Sequence, residues 1–71
     1  MSAYAVIIEG SGDSFSAYVP ELPGCIATGS SIEEAEARIR EAIVDHVQSL
    51  RDHGEPVPET TTAAVRVVEV A

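Results

Sequence analysis

A long amphipathic helix with no helical companion sets the terms on which this sequence packs. Apolar residues recur at three- and four-residue spacing through Ile32, Ala35, Ile39, Ala42, Ile43, Val47 and Leu50, one stripe along one helical face. Both ends are marked. Ser31 is a good N-cap, and Glu34 follows three residues later in the capping-box pattern. Glu33, Glu34 and Glu36 crowd the first turn, where negative charge complements the helix dipole. Glu34 and Arg38, then Glu36 and Arg40, stand at i, i+4 in the favourable order, each pair worth about 0.2–0.5 kcal/mol. Gly54 stops the helix, and Pro56 and Pro58 prevent its continuation. A helix is therefore expected from about Ile32 to about His53.

The rest of the chain reads as strands. Residues 3–9 (AYAVIIE) are rich in β-branched side chains, with Tyr4, Val6 and Ile8 on one face and Ala5 and Ile7 on the other. Both faces are apolar, so this strand is expected to be central. A Gly-Ser-Gly-Asp turn leads into residues 14–19 (SFSAYV), which alternate Phe15, Ala17 and Val19 against Ser14, Ser16 and Tyr18. Two alternating runs joined by a short glycine-rich turn make a β-hairpin. Pro20 cannot donate to a ladder, so Pro20-Glu21-Leu22-Pro23-Gly24 forms a bend before a short third strand at residues 25–28. After a polar link at residues 59–62, residues 63–70 (AAVRVVEV) read as a valine-rich fourth strand. The expected fold is α+β, β-β-β-α-β: a four-stranded mixed sheet in the order 3-2-1-4, with one helix on one face. The last strand would lie parallel to the first through a right-handed crossover.

Length bounds what this fold can bury. The 71 residues suffice for one domain, with no repeat or low-complexity tract, and a chain of this size buries only roughly 60% of its unfolded surface. Tyr4, Phe15 and Tyr18 are the only aromatic residues, so the core must be built from smaller side chains. Self-association, as dimerisation through the second face or an edge of the sheet, is the expected supplement. The lone Cys25 has no internal disulfide partner and no leader pattern precedes the first strand, which together point to a cytoplasmic setting. No apolar run approaches the roughly 20 residues that span a bilayer, so no membrane role is expected.

Charge narrows the partners. Twelve acids against four bases give a formal net charge of −8, and the bases are Arg38, Arg40, Arg51 and Arg66 with no lysine. Phosphate neutralisation needs a basic surface, so direct nucleic-acid binding is not expected, whereas a basic protein would be drawn in by long-range attraction. No catalytic set emerges. His46 and His53 lie about 10 Å apart along the helix, too far to share one zinc, and Cys25 sits on another element. Cys25 reads as a small buried residue and not as a nucleophile. Glu9, Glu41 and Glu69 could be imagined as an acidic triad, but an acidic surface produces such triples freely. Neither enzyme activity, metal nor cofactor is expected. Glu33, Glu34 and Glu36 are the candidate partner-binding residues, although a helix start already accounts for them.

Residues 19–35 carry a specific resemblance. Val19-Pro20-Glu21-Leu22-Pro23-Gly24-Cys25, then Ala27, Gly29 and Ser31-Ile32-Glu33-Glu34-Ala35, resemble the pattern of the HicB family of antitoxins, and the likeness extends through Ala42-Ile43 to Gly54, Pro56 and Pro58. The motif residues Pro20, Leu22, Pro23, Gly24, Cys25, Gly29, Glu34 and Ala35 are expected to hold the bend and the cap. The resemblance implies a partial ribonuclease H-like domain without nuclease activity. Its partner would be a HicA-type toxin, a small basic protein that cleaves mRNA with a histidine, and the resemblance implies a homodimer or homotetramer. Many family members carry a further C-terminal DNA-binding domain; the sequence ends before one, so autoregulation by direct DNA contact is not expected. Ser30-Ser31 stands where the family usually has Asp-Thr. The expected function is that of an antitoxin acting by direct protein binding. The alternative is an orphan homo-oligomeric interaction or ligand-binding module with no toxin.

Overall fold

A computed structural model describes residues 3–71. Three antiparallel strands, β1 (Ile7–Ser11), β2 (Ser14–Tyr18) and β3 (Ile26–Gly29), precede one helix, α1 (Ile32–Asp52). The sheet order is β1-β2-β3, with Ile8 opposite Ala17, Ala17 opposite Ala27, and Phe15 opposite Gly29.

Alternation places the apolar face of the hairpin on the helix. Tyr4, Val6, Ile8, Phe15 and Ala27 pack from the sheet side, and Ala42, Ile43 and Val47 from α1. Between them lies a small core, six buried residues among those described: Ala17, Val19, Leu22, Cys25, Ala35 and Ile39. The helix stripe buries Ala35 and Ile39, but Ile32 at its start is half exposed. Ser31 caps the helix by accepting the Glu34 N–H at 3.0 Å. At the other end the Gly54 N–H donates to the Arg51 carbonyl and the Glu55 N–H to the Leu50 carbonyl, the paired bonds of a Schellman motif.

The sheet differs from expectation in its fourth member. Residues 63–70 form no strand, so the four-stranded mixed sheet with order 3-2-1-4 does not exist and β2, not β1, is central. The arrangement is β-β-β-α, without the strand that a partial ribonuclease H-like domain was expected to place after the helix. Valine-rich composition makes a segment competent to pair, but pairing depends on where the chain is delivered. Here the Tyr4 hydroxyl donates to the Pro58 carbonyl, and Thr60, Thr61 and Thr62 all bond the Glu21 carboxylate. These contacts fix the root of the segment, and among the described residues no backbone–backbone hydrogen bond reaches any residue after Glu55.

Two glycines of the 19–35 region are required for different physical reasons. Gly24 has φ +85°, a left-handed conformation costly for other residues, although a Cβ there would meet open space. At Gly29 a Cβ would stand 2.6 Å from the Ala35 backbone nitrogen, so β3 and α1 approach backbone to backbone. Gly29→Ala must push the helix off the sheet and is expected to cost about 1–3 kcal/mol. Gly24→Ala carries only the φ penalty of about 1–2 kcal/mol. At about 4–8 °C per kcal/mol for a domain of this size, thermal denaturation followed by circular dichroism resolves the two. A melting temperature for Gly29→Ala no lower than that for Gly24→Ala would show that the β3–α1 contact yields easily.

Candidate partner-binding surface

The bend between β2 and β3 is a compact structural device. The Leu22 N–H donates to the Val19 carbonyl, the Cys25 N–H to the Leu22 carbonyl, and the Val19 N–H to the Cys25 carbonyl, all at 3.1–3.3 Å. Leu22 and Cys25 point into the core, while Pro20, Pro23 and Gly24 lie on the surface. Burial pushes the Cys25 thiol pKa up, which lowers its thiolate fraction and its reactivity. His46 is half-buried on α1, and the exposed His53 ring bonds the Ser49 carbonyl through Nδ1. Among the described residues no group of three His, Cys, Asp or Glu side chains is placed to hold a metal ion. Among the described residues no helix is long and apolar enough to cross a membrane.

The three candidate glutamates differ in what occupies them. Glu34 is committed to the helix start: its carboxylate accepts the Ser30 N–H at 2.9 Å and the Ser30 hydroxyl at 3.3 Å, with Arg38 3.4 Å away. The capping box thus closes on Ser30, one residue before the cap that accepts the Glu34 N–H. The Ser30 backbone bond first, and then the Arg38 charge, hold the Glu34 carboxyl below the ordinary carboxylate pKa. Glu36 pairs with Arg40 at 3.1 Å on an exposed flank. Glu33 is exposed, and among the described residues it has neither an ion pair nor a side-chain hydrogen bond. Of the three, Glu33 and Glu36 are available to a partner and Glu34 is structural.

Two features escaped the sequence reading. Glu41, Asp45 and Asp52 stand at i, i+4 and i+11, so α1 carries an acidic line on its exposed face; the spacing itself was the available signal. The second is Glu21. Its carboxylate accepts the Thr60 hydroxyl and the Thr61 N–H, both at 2.7 Å, and the Thr62 hydroxyl at 3.1 Å. About forty residues separate these partners in sequence, and no local pattern joins them.

These observations describe an acidic module built on the motif of residues 19–35, and comparison with known sequences agrees. A family described as HicB_like antitoxin of bacterial toxin-antitoxin system matches residues 4–69. The chain belongs to this family. Among its relatives, a UPF0150 protein of Thermoplasma acidophilum is 37% identical over 65 residues, covering 90% of this chain and 94% of that protein. A UPF0150 protein of Synechocystis is 39% identical over 57 residues, covering 79% of this chain and 72% of its own length. An uncharacterized 14.9 kDa protein of Haemophilus phage HP1 is 32% identical over 57 residues, which is 80% of this chain but 43% of the phage protein. No solved structure matches. The family is one of antitoxins of bacterial toxin–antitoxin systems.

The Glu21 clamp has a pH signature. Its hydrogen bonds from the Thr60 hydroxyl and the Thr61 N–H lower the Glu21 pKa below the ordinary 4.5. A depressed carboxylate pKa contributes stability that is present above the unfolded value and is lost as pH falls through the folded one. The Thr61 and Ser30 amide resonances, which report Glu21 and Glu34 respectively, are therefore expected to titrate with midpoints below 4.5 in an NMR pH series. Glu21→Gln is expected to abolish the Thr61 titration and leave that of Ser30. A Thr61 midpoint at or above 4.5 would show that the clamp does not hold in solution.

Proposed function

We propose that this antitoxin neutralises a small, basic HicA-type toxin, an mRNA-cleaving protein, by direct protein–protein binding in the cytoplasm, and that it catalyses nothing itself. Membership of the antitoxin family carries the reading. The charge distribution supports it. A net charge of −8 steers a basic partner, and five acids on α1 are exposed, Glu33 and Glu36 at the helix start and Glu41, Asp45 and Asp52 along its outer face. The four arginines leave no basic patch for phosphates, and two of them, Arg38 and Arg40, are paired with glutamates.

The deciding experiment is capture of the tagged chain from its own host at low and high salt. Recovery of a small basic protein whose ribonuclease activity is suppressed in the complex is the expected result. Recovery of the chain alone, with the toxin shown to be expressed, would favour a module without a toxin. At the level of residues, Glu33→Lys with Glu36→Lys is expected to weaken toxin binding about tenfold at low salt, mainly through slower association, and to flatten its salt dependence. Glu41→Lys with Asp45→Lys serves as the comparison on the outer face. Unchanged affinity and salt slope for the first pair would remove the helix start from the interface.

A further inference from the structure

The alternation that sends Ile8, Phe15, Ala17 and Ala27 towards α1 sends their neighbours to the other side of the sheet. That outer face is ordered in rows. Ile7 stands opposite Tyr18 and Tyr18 opposite Ile26, an apolar row across all three strands. The next row is Glu9, Ser16 and Thr28. With α1 on the inner face, the apolar row keeps much of its surface open: Ile26 is 63% exposed and Tyr18 38%. A tyrosine and two isoleucines side by side differ from the singly scattered apolar residues of an ordinary surface.

Charge on this face has one sign. Strands β1–β3 contain Glu9 and no lysine, arginine or histidine. Asp13 follows in the β1–β2 turn, and Glu9, Asp13, Ser14, Thr28, Ser30 and Glu34 line a hollow that joins the outer face to the helix start. Arg38 also borders this hollow, but its guanidinium is committed: it pairs with Glu34 at 3.4 Å and donates to the Thr28 carbonyl at 3.0 Å. The remaining arginines belong to other parts of the molecule. Arg40 and Arg51 line an open groove between β1 and α1, on the helix side of the sheet, and Arg66 is on the arm of residues 63–70 that follows the Glu21 clamp.

We propose that the basic toxin docks on this outer face, with Ile7, Tyr18 and Ile26 as the apolar centre of the contact and Glu9 and Asp13 as its charged rim. The proposal rests on the antitoxin reading and assigns it a surface. Three features select this occupant. An apolar centre with a polar border is the anatomy of a protein–protein contact, and tyrosine is among the side chains that anchor one. The border is acidic, so a protein that presents lysine or arginine around an apolar contact gains from both parts, whereas phosphates are repelled. A second copy is disfavoured by the same charges, since stacking the face on itself would set Glu9 and Asp13 against their own kind. The groove on the helix side offers no such sign, because Arg40 and Arg51 stand there beside Glu36. Through the hollow the outer face continues to the helix start, where Glu33 is exposed, so one partner can meet both groups of acids.

The test uses the full chain and the basic ribonuclease recovered with it, purified and titrated by calorimetry at low and high salt, with suppression of RNA cleavage as a second readout. Tyr18→Thr with Ile26→Thr removes the apolar centre while keeping side chains that suit a strand. Glu9→Lys reverses the rim, and Val44→Thr, in the groove on the helix side, is the comparison. Circular dichroism checks that each variant keeps its helix. The double variant is expected to bind at least about tenfold more weakly at both salt concentrations and to leave RNA cleavage unsuppressed at matched concentration. Glu9→Lys is expected to weaken binding about tenfold at low salt and to flatten the salt dependence. Val44→Thr is expected to bind as the wild type does. Wild-type affinity in both the folded double variant and Glu9→Lys overturns the proposal and leaves the antitoxin reading intact; should the double variant lose its helix, Glu9→Lys decides alone. The proposal is equally overturned if Val44→Thr alone weakens binding, which would put the toxin in the groove. It also falls if the free double variant has a lower solution mass than the free wild type, which would make a second copy the occupant. A wild-type chain that recovers no such ribonuclease, with the toxin shown to be expressed, ends both readings.

Discussion

At Gly29 the strand backbone lies against the helix backbone of Ala35, and most of the domain is arranged to allow that contact. Removing a side chain from β3 lets α1 settle onto the sheet, which brings Ala35 and Ile39 to full burial. The helix start is then fixed from both sides of the contact. Ser31 takes the Glu34 N–H, Glu34 takes the Ser30 N–H, and Arg38 donates to the Thr28 carbonyl across the gap. Upstream, the bend of residues 19–25 turns the chain so that β3 arrives antiparallel to β2 while Val19, Leu22 and Cys25 drop into the core. Four of the six buried residues (Val19, Leu22, Cys25 and Ala35) therefore belong to the segment that identifies the family. That segment is a folding device, and its residues identify the family because they build the β2–β3–α1 corner.

This explains what the sequence made legible. Every feature read correctly is local or nearly so. Hairpin alternation is fixed by a period of two and the helix by a stripe and two caps, and the bend is written in consecutive residues. The fourth strand failed because a ladder is a property of two segments. Residues 63–70 have strand composition, but Thr60 to Thr62 are tied to Glu21 on the bend, and nothing at position 21 or at positions 60–62 announces that pairing. The misplacement of β1 as central follows from the same error. Apolar residues on both its faces suggest two neighbours, whereas one face packs on α1 and its outer edge borders an open groove. Among the candidate partner residues, identity alone could not separate Glu34, consumed by the cap, from Glu33, which points to solvent.

Two electrostatic scales operate in this molecule. At short range the glutamates do structural work: Glu34 and Glu21 accept hydrogen bonds that order the helix start and the arm root, and both pKa values fall as a consequence. At long range the uncompensated acids set the sign of the field that a partner meets. The two roles fall on different residues, so the protein can present a strongly negative surface without placing repulsive charge where its chain must close on itself.

A domain with six buried residues and a groove left open beside its edge strand has little stability to spare. Any macromolecule that covers the groove and binds only the folded state raises the folded population by mass action, in proportion to its concentration over its dissociation constant. Partner occupancy and fold stability are then linked quantities. Under that linkage a free chain is the least stable form, and its local openings are most frequent when nothing is bound.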